Sequence, residues 1–143
     1  MSYAGSRAFA GQGTQLQLGD GGSPEAFTTI AEVHKVARGG SKMDLVDVTN
    51  FDSIGAYREK LATLLDGGEL TFDANYVPQD TSQQALQAQF DGRTLSNWKI
   101  VLPGGRGTFS CKAYSISADF DLSVDKASTF AGKLAITGQP SFA

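Results

Sequence analysis

The sequence predicts a small, mainly β domain, an antiparallel sandwich or barrel covered by one short helix. Three observations carry this. In Glu69–Tyr76, Leu70, Phe72, Ala74 and Tyr76 fall on one face and Thr71, Asp73 and Asn75 on the other, the period-2 pattern of a half-buried strand. Pro78, which has no N–H for a ladder, then stops the strand, and Asp80 stands where a helix N-cap accepts from the next turn. The composition agrees: charged residues are only 19% and glycines number 17 in 143 residues, which suits short strands joined by tight turns.

In chain order, residues 1–13 are small, polar and Gly-punctuated and read as a flexible N-terminal arm. Gly11 and Gly13 make no phosphate loop, because no strand precedes them and no Gly-Lys-Ser/Thr follows. Thr14–Leu18 reads as a first strand, closed by Gly19-Asp20-Gly21-Gly22. Phe27–Val36, rich in Thr, Ile and Val, reads as a second, and Lys42–Val48 as a third. The helix spans about 80–91. Gln83 occupies the capping-box position, Leu86 and Phe90 form a narrow apolar stripe, and Asp91-Gly92 is the stop. Leu95–Leu102 alternates around Trp98, a core anchor; Pro103–Gly107 is a hairpin turn. Thr108–Leu122 is one long or broken strand, with Tyr114, Ile116, Phe120 and Leu122 of one parity. Ser128–Thr137 closes the fold with Phe130, Leu134 and Ile136 inward, and residues 138–143 form a tail.

Several function classes are excluded. The formal charge of −3 opposes nonspecific nucleic-acid binding, which needs clustered Lys and Arg to displace counterions. Cys111 is the only cysteine, so no intrachain disulfide framework exists. No apolar run approaches a membrane span of ~20 residues, and the N-terminus has no secretory apolar core. His34, without a second His, Cys or paired carboxylate nearby, reads as a surface or interface residue. Asp119, Asp121, Ser123 and Asp125 imitate the start of a calcium loop, but Val124 stands where that loop requires Gly, and Phe130 where it requires Glu. No nucleophile–base pair or metal-ligand cluster is spaced to act, so neither catalysis nor a cofactor is expected.

Residues 50–68 have two readings. Ile54, Tyr57, Leu61, Leu64 and Leu65 follow helical spacing, with Asp52 or Ser53 as cap and Gly67-Gly68 as stop, so local propensity favours an amphipathic core helix. The other reading is an excursion whose apolar side chains bury against a neighbouring subunit.

The run Tyr57-Arg58-Glu59, the leucines through Leu65, Asp66-Gly67-Gly68-Glu69-Leu70-Thr71-Phe72, then Asn75-Tyr76 and Pro78 before a Gln-rich helix, resembles the tail tube proteins of long-tailed phages of the lambda type. Trp98-Lys99-Ile100-Val101-Leu102-Pro103 resembles that family's strand after the helix, and the similarity runs from the first strand to the last. The resemblance implies two packed antiparallel sheets flanked by one helix. It implies six-membered rings whose inner strands join into one barrel, stacked into a hollow tail tube through which DNA passes, with no further immunoglobulin-like domain after residue 143. It assigns the long segment at about 50–68 to the subunit interface, with Ile54, Tyr57, Arg58, Leu61, Leu64, Leu65 and Glu69 as contact residues.

On the implied topology, Glu32, Asp44 and Asp47 are the candidate acids of the channel lumen, where negative charge repels phosphate and keeps DNA, a non-binding cargo, in transit. The implied partners are further copies of the chain, a tape measure protein and tail-end proteins, with no membrane. The implied location is the virion tail, after synthesis and assembly in the bacterial host cytoplasm. Two alternatives remain. One is the tube of a contractile tail or secretion system. The other is a β-sandwich module that binds glycan or peptide on exposed aromatics such as Tyr3, Tyr57 and Tyr114.

Overall fold

The computed structural model describes residues 5–143. Seven strands form one antiparallel sheet in the order β2-β1-β7-β8-β9-β6-β3: β1 Gln15–Gly19, β2 Phe27–Thr29, β3 Val33–Gly39, β6 Glu69–Asn75, β7 Leu95–Val101, β8 Thr108–Asp121 and β9 Thr129–Phe142. The remaining pair, β4 Lys42–Asp47 and β5 Lys60–Asp66, makes a separate two-stranded ribbon. One helix, α1 Thr81–Asp91, covers the large sheet.

The large sheet has to curl. Its two edge strands, β2 and β3, are joined by only the segment from Ile30 to Glu32, so opposite edges must meet. At each end of this crossing a ladder runs on by one bond: the Ile30 N–H donates to the Leu16 carbonyl at 2.8 Å, extending β1–β2, and the Asn75 N–H donates to the Glu32 carbonyl at 3.0 Å, extending β3–β6. The crossing also corrects the single strand expected over 27–36. Ile30 buries, and Glu32 takes a left-handed backbone (φ 55°), which breaks the ladder in two.

Inside the curl lie Leu16, Leu18, Ile30, Leu70, Phe72, Leu86, Trp98, Phe130 and Leu134, all buried. The alternation anticipated in β6 holds: Leu70, Phe72 and Ala74 point inward. On β8 the inward residues are Cys111, Ala113 and Ser115, while Tyr114 and Ile116 face outward. A register shift between Ser115 and Ser117 then resets the pleat, and Ala118 packs against the core. Burial pushes the Cys111 thiol up to about 11.

Helix α1 starts as anticipated, with the Asp80 carboxylate accepting from the Ser82 N–H at 2.9 Å. Gln83 does not close a capping box. It is buried and reaches across the fold: its Oε1 accepts from the Val77 N–H (2.8 Å), and its Nε2 donates to the carbonyls of Asn75 (2.8 Å) and Ala31 (3.0 Å). It thus fastens the helix to the end of β6 and to the β2–β3 crossing. Leu86 is fully buried, whereas Phe90 is exposed.

Residues 139–142 are not a tail. After Gly138 (φ 77°) the chain rejoins β8, pairing Ser141 with Ser110 and Phe142 with Phe109. At the same end, the Arg106 guanidinium lies 4.5 Å above the Phe9 ring, docking the second half of the N-terminal arm on the β7–β8 turn.

Replacing Gln83 with Ala strands one half-buried N–H and two half-buried carbonyls, so unfolding free energy should fall by about 1–3 kcal/mol. Urea denaturation should show a lower midpoint at unchanged slope; an unchanged midpoint contradicts the bracing role.

Candidate subunit interface

The segment expected to be helical by propensity is a strand. Residues 60–66 pair with β4 (Lys42↔Asp66, Met43↔Leu65, Leu45↔Ala62, Val46↔Leu61, Asp47↔Lys60), and only the short 3-10 turn Ile54–Ala56 is helical. Gly55 (φ 68°) and Ala56 (φ 60°) interrupt any helix that Asp52 or Ser53 would start. The spacing of Leu61, Leu64 and Leu65 has another cause. Between the pairs Met43↔Leu65 and Leu45↔Ala62, β5 carries one residue more than β4, a bulge that places Thr63 and Leu64 opposite Asp44.

Two faces follow from the pairing. Met43, Leu45 and Asp47 share one with Leu65, Ala62 and Lys60; Val46 and Lys42 share the other with Leu61 and Asp66. Apolar side chains stand on both faces beside charged ones, and every residue of both strands is exposed. Leu64 is 72% exposed and Leu65 75%. Phe51, Ile54 and Tyr57, in the loop between the strands, are also exposed. The sequence reading placed residues 42–48 in the body and so missed Met43, Leu45, Val46 and Val48. The available signal was apolar side chains at both parities, the mark of a strand buried on both faces.

The base of the ribbon is fixed by backbone fit. Gly68 has φ 86°, and a Cβ there would lie 2.2 Å from the Gly39 carbonyl oxygen. The Asp66 carboxylate accepts from the Gly68 N–H (2.8 Å), and Arg38 Nε donates to the Gly67 carbonyl (3.0 Å). The loop end is tied separately. Asp47 accepts from the Thr49 hydroxyl (2.6 Å), the Thr49 N–H (2.9 Å) and Arg58 Nη1 (3.2 Å), while Thr49 Oγ1 accepts from the Glu59 N–H (2.8 Å). These bonds, Thr49 first and Arg58 after it, hold the Asp47 carboxyl below the usual carboxylate range.

Of the expected contact residues, Ile54, Tyr57, Arg58, Leu61, Leu64 and Leu65 belong to this ribbon and its loop. Glu69 starts β6 in the body, paired with Gly39 and Ala135. The three candidate lumen acids do not form one group. Glu32 is exposed on the β2–β3 crossing, accepting from Asn75 Nδ2 at 3.4 Å. Asp44 and Asp47 lie on opposite faces of β4, and the charge of Asp47 is engaged by Arg58. Tyr57 and Tyr114 sit on different elements, the ribbon loop and the middle of β8, and Tyr3 lies outside the described residues. Among the described residues no three His, Cys, Asp or Glu side chains cluster as metal ligands, and no helix is long and apolar enough to cross a membrane.

Residues 7–143 match the family described as "Lambda phage tail tube protein, TTP". The chain belongs to the lambda phage tail tube protein family. No curated protein matches it. Among solved structures, it resembles a chain of the tail of an empty GTA particle, refined with C6 symmetry, at 24% identity and TM-score 0.73, over 95% of this chain and 99% of that one. The SPP1 tail tube is 13% identical with TM-score 0.70, covering 94% and 78%. The sheath–tube complex of the PVC extracellular contractile injection system is 13% identical with TM-score 0.64, covering 91% and 87%. At these identities the structural likeness establishes a shared fold, that of tail tubes in both simple and contractile systems.

Because the Asp47 carboxyl is held low in the closed loop, its contribution is present above the ordinary carboxylate value and lost as pH falls through the lowered one. An NMR titration of the free subunit should show the Thr49 and Glu59 amides unchanged at neutral pH and shifting together only below about pH 4. Movement of these amides near pH 6 would contradict the assignment.

Proposed function

We propose that the chain is the structural subunit of a tail tube and that its β4–β5 ribbon is the element that joins copies. The observation carrying this is the ribbon's exposure: it carries apolar side chains on both faces, and among the described residues nothing covers either. A lone two-stranded hairpin is marginal in water, and apolar faces of this kind mark interaction sites. Covering the half of Met43, Leu45, Val46 and Leu61 that remains wet would add about 1 kcal/mol for each. Family membership supplies the occupant, further copies of the same chain, and the use, a hollow tube.

Residues 1–143 then act as one tube domain. Copies close into six-membered rings, rings stack, and double-stranded DNA passes through the bore without being held. The formal charge of −3 supports that last point, since a passage that released counterions from DNA would trap it. Glu32 and whichever of Asp44 and Asp47 faces inward are the proposed lumen acids. A tape measure protein inside the tube, tail-end proteins at its termini, and assembly in the host cytoplasm before incorporation into the virion complete the reading. The role is architectural and not enzymatic.

Leu61→Asp tests it. Leu61 is 57% exposed, so the variant subunit should keep its circular dichroism and melting temperature within a few degrees, while tubes and rings vanish from electron micrographs. Unfolding of the variant, or normal tubes from it, contradicts the interface assignment.

A further inference from the structure

The subunit is chemically polarised end to end. At one end, beside the base of the ribbon, a cleft of about 840 Å³ is lined by Phe109, Pro140, Phe142 and Leu65, with Arg38 and Lys42 among its walls. Arg38 lies 5.0 Å above the Phe109 ring. Asp66 also borders the cleft, but its carboxylate is engaged by the Gly68 N–H. At the other end, the last residues of β8 and the β8–β9 turn carry Phe120, Leu122 and Val124, of which Leu122 is 62% and Val124 fully exposed. Three acids, Asp119, Asp121 and Asp125, and one base, Lys126, flank them, all exposed. Among the described residues the one ion pair is Arg58–Asp47, so these acids and the two bases are unpaired within the subunit.

We propose that the cleft receives the β8–β9 turn of a second copy, with Leu122 and Val124 against its aromatic wall and Asp121 and Asp125 facing Arg38 and Lys42. The proposal rests on the tube reading and names the contact between successive rings. Cleft and turn cannot meet within one subunit. The strand from Phe109 to Phe120 separates them by roughly 36 Å at about 3.3 Å per residue. Joined between copies, a socket at one end and a plug at the other give a head-to-tail contact that does not close, which generates a filament of defined direction. Opposite charge around an apolar centre supplies the register and rejects the reversed orientation, because acidic end against acidic end is repulsive.

The test is a charge swap in the full chain. Asp121→Arg with Asp125→Arg, and separately Arg38→Glu with Lys42→Glu, should each cut the mass of tubes recovered by sedimentation at least about tenfold, while a ring-sized or smaller soluble species remains. Mixing the two double variants restores opposite charge at every contact and should restore tubes. Because Arg38 also packs on Phe109, Lys42→Glu alone serves as the variant that keeps the Arg38 contacts; with an unchanged circular dichroism spectrum confirming its fold, it should shorten tubes when measured by electron microscopy. Normal tubes from both the Asp121/Asp125 variant and the Lys42→Glu variant overturn the proposed contact and leave the tube reading standing. Failure of the mixture to reassemble also overturns it. Failure of the unaltered chain to form tubes under any condition overturns the tube reading and this contact with it.

Discussion

The structure depends on a ribbon that its own subunit cannot cover. One layer of protein can hide one face of a sheet, and the β4–β5 ribbon carries apolar side chains on two: Leu45 and Ala62 on one, Val46 and Leu61 on the other. Nothing among the described residues of a single copy covers either. A chain built this way folds a body first and completes its burial in association. That is a stability argument and a functional one together, since the free energy withheld from the monomer becomes available to assembly.

The body is arranged to keep that element in position without burying it. A curled seven-stranded sheet brings its two edges together through the Ile30–Glu32 crossing, and Gln83 braces the helix against that crossing. The ribbon leaves from the opposite end of β6, where Gly68 fits against the Gly39 carbonyl too closely for any side chain. At the ribbon's far end Asp47, Thr49 and Arg58 lock the loop, so that Ile54 and Tyr57 are presented by a closed turn and not by a loose excursion. A rigid body, a fixed base and a tied loop limit the ordering entropy that remains to be lost on assembly.

Much of the body was legible in the sequence. Alternation in β6, the Asp80 cap, the Pro78 stop and Trp98 as an anchor are local signals, and local signals survive when tertiary structure agrees with them. Among the features that were not legible, two share a reason. The break at Glu32 comes from the need to bridge two sheet edges, which no window around residue 32 contains. In β5 the bulge opposite Asp44 erases the period-2 pattern, leaving Leu61, Leu64 and Leu65 at spacings that imitate a helix. The interface residues Ile54 to Leu65 were named through family resemblance; their β conformation, and the share of Met43, Leu45, Val46 and Val48 in the same surface, required the pairing partner.

The central claim is that the ribbon is wet in the free subunit and buried in the tube. Cys111, the only native thiol, is buried and its thiolate is disfavoured, so a cysteine introduced as Leu64→Cys can be followed against a quiet background. Maleimide labelling of that cysteine in free subunits and in assembled tubes measures the claim directly. The account predicts fast labelling in the free subunit and at least about tenfold slower labelling in the tube. Equal labelling rates in both states would contradict it.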